Sequence, residues 1–353
     1  MLPRVGLAFA CIAPHGSMAI AEWCTPEQRP LAARTRAAFE ELGRRFDAAR
    51  PDVTVLLTPH HVHVEGHMAV VTAGAMHGIL EGGAGRVELR ARVDRELAVA
   101  VRDAVAAAGV PIVGLSYGAN DTAAAVMPMD WATHVPIHFM GRDRVPIVVL
   151  APARDLSWDR HVAAGRAIAS TAASSSKRVA LIASCDHGHG HDANGPYGYH
   201  PESKVFDDRV VELVKRNALR ELLSFEPAFV AAAHADSFWQ MLMLHGAIGD
   251  RWDAELLSYE APTYFGMLCA AFTPRDEGLL RPAARRPLGE PLPRDARRAQ
   301  SAAGWGSPGR GRQPGEPFGP AGRHRVLRAE RPAPITRARR SLGGPSFDAP
   351  PRL

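Results

Sequence analysis

Short apolar runs that stop at turn-forming or histidine-bearing loops, separated by stretches of helical periodicity, limit this chain to very few architectures. The runs include "RVGLAFACIA" (4–13), "DVTVLLT" (52–58), "PIVGLS" (111–116), "VPIVVLAPA" (145–153) and "RVALIAS" (178–184). Their length and branched, apolar character predict buried strands. Between them, "TPEQRPLAARTRAAFEELGRRFDAAR" (25–50) repeats its apolar residues at helical spacing, with Thr25 placed as N-cap and Pro26 at the first helical position. "DRELAVAVRDAVAAAG", "WDRHVAAGRAIASTAA", "DDRVVELVKRN", "LRELLS" and "SFWQMLMLHGAIG" read as further helices. Strands alternating with helices predict an α/β fold with a central, mostly parallel sheet flanked by helices. Ligands of such sheets sit in loops at the carboxyl ends of the strands.

At 353 residues, with 46% apolar and 22% charged side chains, the chain can bury a sizeable core. No stretch approaches the ~20 apolar residues that span a bilayer, so no membrane partner is expected. The N-terminal run lacks a basic leader region and a small-residue cleavage site, which points to the cytoplasm. Four scattered cysteines without a C-x-x-C pair suggest reduced thiols. The net charge of +5 is misleading as a property of the fold. Residues 275–353 hold 17 Arg and 7 acidic residues, about +10, which leaves about −5 for the remainder. The basic balance therefore gives no reason for the folded part to bind nucleic acid. The Pro-, Gly- and Arg-rich segment 274–353 has neither strand nor helix periodicity and is expected to be a disordered tail following a folded domain at 1–273. Neither a phosphate-binding glycine loop nor a serine nucleophile elbow is visible.

The chemistry sits on the strand ends. "IAPHGS" delivers His15, "LLTPHHVHVEGH" delivers His60, His61, His63 and His67, and "SCDHGHGH" delivers Asp186, His187, His189 and His191. A late run, "AELLSYEAPTYFG", delivers Glu260. One loop histidine is usually a solvated surface residue, but three His-bearing loops on one rim form a candidate metal site. Two neutral imidazoles and a carboxylate on one face of Fe(II) leave positions open for substrate and O2. A zinc hydrolase can use the same ligand types.

In this order and at these separations, "IAPHGS", "VLLTPHH", "SCDHGH" and "LLSYEAPTYFGM" resemble the class III extradiol ring-cleavage dioxygenases. These are relatives of the protocatechuate 4,5-dioxygenase catalytic subunit, in a superfamily that includes the Memo-like proteins. The resemblance covers roughly residues 3–273. It implies Fe(II), a small aromatic diol and O2 as substrates, and assembly as a homo-oligomer. Residue by residue, it implies His15, His60 and Glu260 as metal ligands. His60 is preferred because "TPH" reads like the superfamily's strand–turn–His, with His61 as the alternative. It implies His189 as the base that takes a proton from the diol, with His187 as its rival and Asp186 as an orienting group. One departure stands out: many members carry an Asp-His pair where this chain has Asp130 and Trp131. His134 lies one turn further on, and Trp131 could instead wall an apolar pocket that His234 also lines. Two other functions use the same framework, namely a Memo-like metal- or partner-binding protein without dioxygenase activity and a zinc-dependent hydrolase or lyase.

Overall fold

The computed structural model describes residues 6–275 except 83 and 119. The first half runs β1 (Gly6–Ala13), α1 (Ala33–Ala49), β2 (Val53–Leu57), β3 (Met68–Val71), β4 (Ala75–Glu81), β5 (Arg86–Arg92), α2 (Arg95–Ala107), β6 (Ile112–Leu115) and β7 (Val126–Pro128). It continues with α3 (Trp131–Phe139), β8 (Ile147–Ala151), α4 (Trp158–Ser174) and β9 (Arg178–Ser184). The last part is α5 (Pro201–Lys215), α6 (Pro227–Ala232), α7 (Phe238–Ile248), β10 (Trp252–Glu260) and β11 (Met267–Pro274). The chain divides into two units, Met1–Ala284 and Arg285–Leu353. The expectation of a disordered tail falls, from residue 276 on, outside the described residues.

Eight strands form the main sheet in the order β10-β11-β1-β9-β2-β8-β3-β6. Its centre, β1-β9-β2-β8, is parallel, as is the β3–β6 pair, while β3–β8, β1–β11 and β10–β11 are antiparallel. The mostly parallel sheet expected from sequence is therefore present. Every residue of β2 and β8 is buried, and β9 is buried from its second residue on. This explains why those strands read as unbroken apolar runs. Helices flank the sheet: α1 packs on α3, and α4 packs on both α2 and α7. A second sheet, β5-β4-β7, alternates buried with exposed positions along β5.

Two local expectations need correction. The helix expected to open at Thr25 begins at Ala33. Thr25 does accept from the N–H groups of Gln28 and Arg29, which makes one turn. Pro30 then interrupts it, because proline has no N–H to donate and disfavours helix in the residue before it. "LRELLS" is a short 3-10 segment, Leu219–Ser224, rather than an α-helix.

The contact between α4 and α7 matters for the site. Each helix contributes a glycine at the crossing: a Cβ on Gly165 would collide with the Met243 carbonyl, and one on Gly246 with that of Val162. This close approach fixes where α7 begins, and with it the turn that precedes α7. Among the described residues, no helix is long and apolar enough to cross a membrane.

Candidate active site

β1, β9 and β2 lie side by side and parallel, so the loops at their carboxyl ends meet. His15 stands two residues past β1, His60 three past β2, and Asp186 two past β9. Asp236 arrives separately, from the turn between α6 and α7, where its N–H donates to the His187 carbonyl at 3.4 Å. Ligand atoms of His15, His60 and Asp236 all lie within 4.8 Å of one another, a group that could hold a metal ion. Asp236 Oδ2 is 3.0 Å from His60 Nε2 and 3.4 Å from His15 Nε2.

The hydrogen bonds around His15 test whether a cation fits. Ser184 Oγ donates to the Ala132 carbonyl at 2.6 Å, so it accepts from His15 Nδ1 at 3.1 Å. The proton of the neutral ring is thus on Nδ1, and the Nε2 lone pair faces Asp186 Oδ2 at 3.3 Å and Asp236 Oδ2 at 3.4 Å. That nitrogen is buried and has no hydrogen-bond donor. A lone pair against the Asp236 carboxylate is repulsive unless positive charge lies between them, so His15, His60 and Asp236 fit a divalent cation. Burial lowers the His15 imidazole to about 4 against the pull of Asp236. The ring is therefore neutral near pH 7, the form that binds metal. Burial would raise the Asp236 carboxyl, but the His15 and His60 rings beside it outweigh this and hold it well below the usual carboxylate range.

Glu260 is not part of this group. It ends β10, and antiparallel β11 lies between it and β1, a spacing of ~10 Å across the sheet. Its Oε1 accepts instead from the Thr35 N–H at 2.7 Å and the Thr35 hydroxyl at 2.6 Å. Ala32 at the N-cap of α1 has no acceptor to offer, so Glu260 caps that helix from a distant strand. The carboxylate beside the two histidines is Asp236. The sequence alone does not mark it, because it lies between two helices and not at a strand end. The one available signal is an Asp-Ser pair directly before the apolar run of α7.

The other expected residues separate clearly. His60 faces Asp236, while His61 turns away and places its Nε2 3.3 Å from the Pro128 carbonyl. His189 Nδ1 donates to the His187 carbonyl at 2.7 Å, which leaves the Nε2 lone pair able to accept a proton. Its ring stacks on Phe265 at 5.4 Å, with Tyr197 and Tyr264 at its edges. Burial lowers its pKa below the ordinary histidine value. Asp186 does not orient His189, since its Oδ1 accepts from the His15 N–H at 2.8 Å. The His187 ring is buried against Phe206 without a hydrogen-bond partner, and its carbonyl supplies the orientation for His189. His191 pairs with buried Asp207 at 2.8 Å, which also accepts from Tyr259 Oη and the Gly188 N–H.

Trp131 opens α3 and stacks on His60, ring centres 4.3 Å apart. His234 has a left-handed backbone, φ 46°, and sits beside Tyr197 with its Nε2 3.2 Å from that of His200. His134 points elsewhere: its Nδ1 lies 3.3 Å from where a Cβ on Gly78 of β4 would stand. It is buried with both ring nitrogens unpartnered. Burial first, then His138 and Arg142, lowers it to about 4. The folded state keeps His134 neutral down to about pH 4, whereas the unfolded chain protonates it near 6.5. Its contribution is therefore complete above pH 6.5 and is lost as pH falls toward 4, by up to roughly 3 kcal/mol. Urea midpoints at pH 7 and pH 4.5 should show a smaller acid loss for His134→Leu than for the unaltered chain. Equal losses would assign the acid sensitivity to other groups.

Residues 9–270 match the family described as the catalytic LigB subunit of aromatic ring-opening dioxygenase. The chain is 21% identical over 253 residues to Protein CA_C1420 of Clostridium acetobutylicum, covering 70% of this chain and 53% of that one. It thus spans about half the length of that relative. The crystal structure of the uncharacterized protein JW3007 from Escherichia coli K12 has the same fold, with a TM-score of 0.50 at 15% identity over 74% of this chain and 98% of that one. With the family match running from β1 to β11 and through every loop that meets at the site, the chain belongs to the family of catalytic LigB subunits of aromatic ring-opening dioxygenases.

Proposed function

We propose that this chain is a non-haem Fe(II)-dependent dioxygenase that opens a catechol-type ring on the extradiol side, with His15, His60 and Asp236 as the metal ligands. The observation that carries this reading is the buried His15 Nε2 lone pair, held 3.4 Å from the Asp236 carboxylate with no donor of its own, beside the His60 ring. Bound there, Fe(II) would supply the centre at which an aromatic diol and O2 are brought together. Both oxygen atoms enter the ring-opened product, so the reaction needs no external reductant.

The remaining roles fall to the chain itself. His189 is the base: with Nδ1 committed to a carbonyl, Nε2 takes a proton from a diol hydroxyl, and the lowered pKa keeps that nitrogen free at neutral pH. Trp131 holds the His60 ring by stacking, while Phe265, Tyr264 and Tyr197 give the other side an aromatic wall suited to a planar ring. The test is anaerobic loading with Fe(II) followed by a panel of catechols in aerated buffer. Oxygen uptake matched by a yellow ring-opened product is the expected result. No uptake from the fully loaded protein with any diol would overturn it, and turnover that persists without O2 would point to a zinc-type hydrolase.

A further inference from the structure

The two oxygens of Asp236 have different partners. Oδ2 faces His60 and His15 at 3.0 and 3.4 Å and accepts from Ser237 Oγ at 3.2 Å, while Oδ1 accepts from Arg154 Nη2 at 2.6 Å. Arg154 follows β8, the strand beside β2, and its guanidinium lies 4.9 Å over the Trp239 ring in the first turn of α7. Asp236 and Trp239 are three residues apart, so one short stretch of chain grips the guanidinium twice, through a hydrogen bond in its plane and an aromatic ring on its face.

We propose that Arg154 is a positioning residue of the metal centre, occupying Asp236 Oδ1 so that only Oδ2 is presented to an ion shared with His15 and His60. The inference rests on those three residues being the ligand set. A carboxylate with both oxygens free can rotate away from the histidines or take two positions on the ion. With Oδ1 occupied it takes one, and more positions stay open for other ligands. Charge alone argues the opposite, since a guanidinium repels a metal cation. The Arg154 side chain is 38% exposed, however, and solvent screens that repulsion. Loss of an outer partner that orients a ligand typically weakens metal binding by about 10–100-fold.

Co(II) titration of the full chain, followed by visible absorption, tests this in the unaltered protein, Arg154→Met, Arg154→Lys and His15→Ala. Arg154→Met should bind Co(II) about 10–100-fold more weakly, with altered absorption bands and an unchanged circular dichroism spectrum. Arg154→Lys, which keeps one donor for Oδ1, should recover part of the loss. An Arg154→Met protein with unaltered affinity and bands, or with tighter binding, overturns the role of Arg154. If Arg154→Met does not fold, Arg154→Lys decides: a band shift supports the role, and a spectrum identical to that of the unaltered protein overturns it. If His15→Ala binds Co(II) as well as the unaltered chain, the ligand set itself fails, a result distinct from failure of the Arg154 proposal.

Discussion

Asp236→Ala should lose metal affinity by more than roughly 100-fold and lose with it the ring-opening turnover proposed above, because a vanished ligand costs more than the roughly 10–100-fold of an outer partner. Glu260→Ala should bind metal as the unaltered chain does. Its expected effect is on folding: Thr35 loses the acceptor for its N–H and hydroxyl at the start of α1. The cost of such a cap is about 1 kcal/mol, a fall of a few degrees in Tm for a domain of this size. Metal titration and thermal melts of the two variants therefore give opposite patterns. A Glu260→Ala protein that cannot hold metal, beside an Asp236→Ala protein that can, would exchange the two carboxylates.

His189→Ala is the second large effect, with turnover reduced by about 10²–10⁴-fold while metal affinity stays within a few-fold. The pH profile identifies the cause. Burial lowers the His189 pKa, and for the proposed base the neutral ring is the working form. Activity of the unaltered protein should thus fall as pH drops through a value under 6.5, and that acid limb should disappear from whatever rate remains in His189→Gln. A limb that persists in the variant would move the titrating base to another group. His187 does not replace it, because both its ring nitrogens are buried without partners.

The parts of this fold that can be read from sequence are those whose burial is uniform. β2, β8 and β9 are buried along essentially their whole length, so each appears as a continuous apolar run with a loop at its end. His15 and His60 follow from that pattern, since a residue just past a parallel strand must lie on the sheet's carboxyl rim. β5 alternates exposed charges with buried positions and pairs only within the small sheet, so it gives no comparable signal. α3 is hidden for another reason. "WATHVPIHF" has a proline inside it and β-branched residues that favour strands, yet Asp130 starts the helix by accepting from the Thr133 N–H at 2.9 Å. Glu260 and Asp236 show where strand-end logic stops. A strand end on the correct rim still lies too far away when an antiparallel neighbour intervenes, and an acid from a helix turn arrives only through tertiary packing.

The glycine crossing of α4 and α7 gives the site a divided construction. The two imidazoles stand on loops just past β1 and β2, and the acid on the turn before α7, whose packing against α4 is set by Gly165 and Gly246. The centre works like a vice with one fixed jaw and one adjustable jaw. A side chain added at either glycine would push the helices apart and shift the turn that carries the acid. The reach of the acid, and so the grip on an ion, can be retuned from positions that never touch a donor atom.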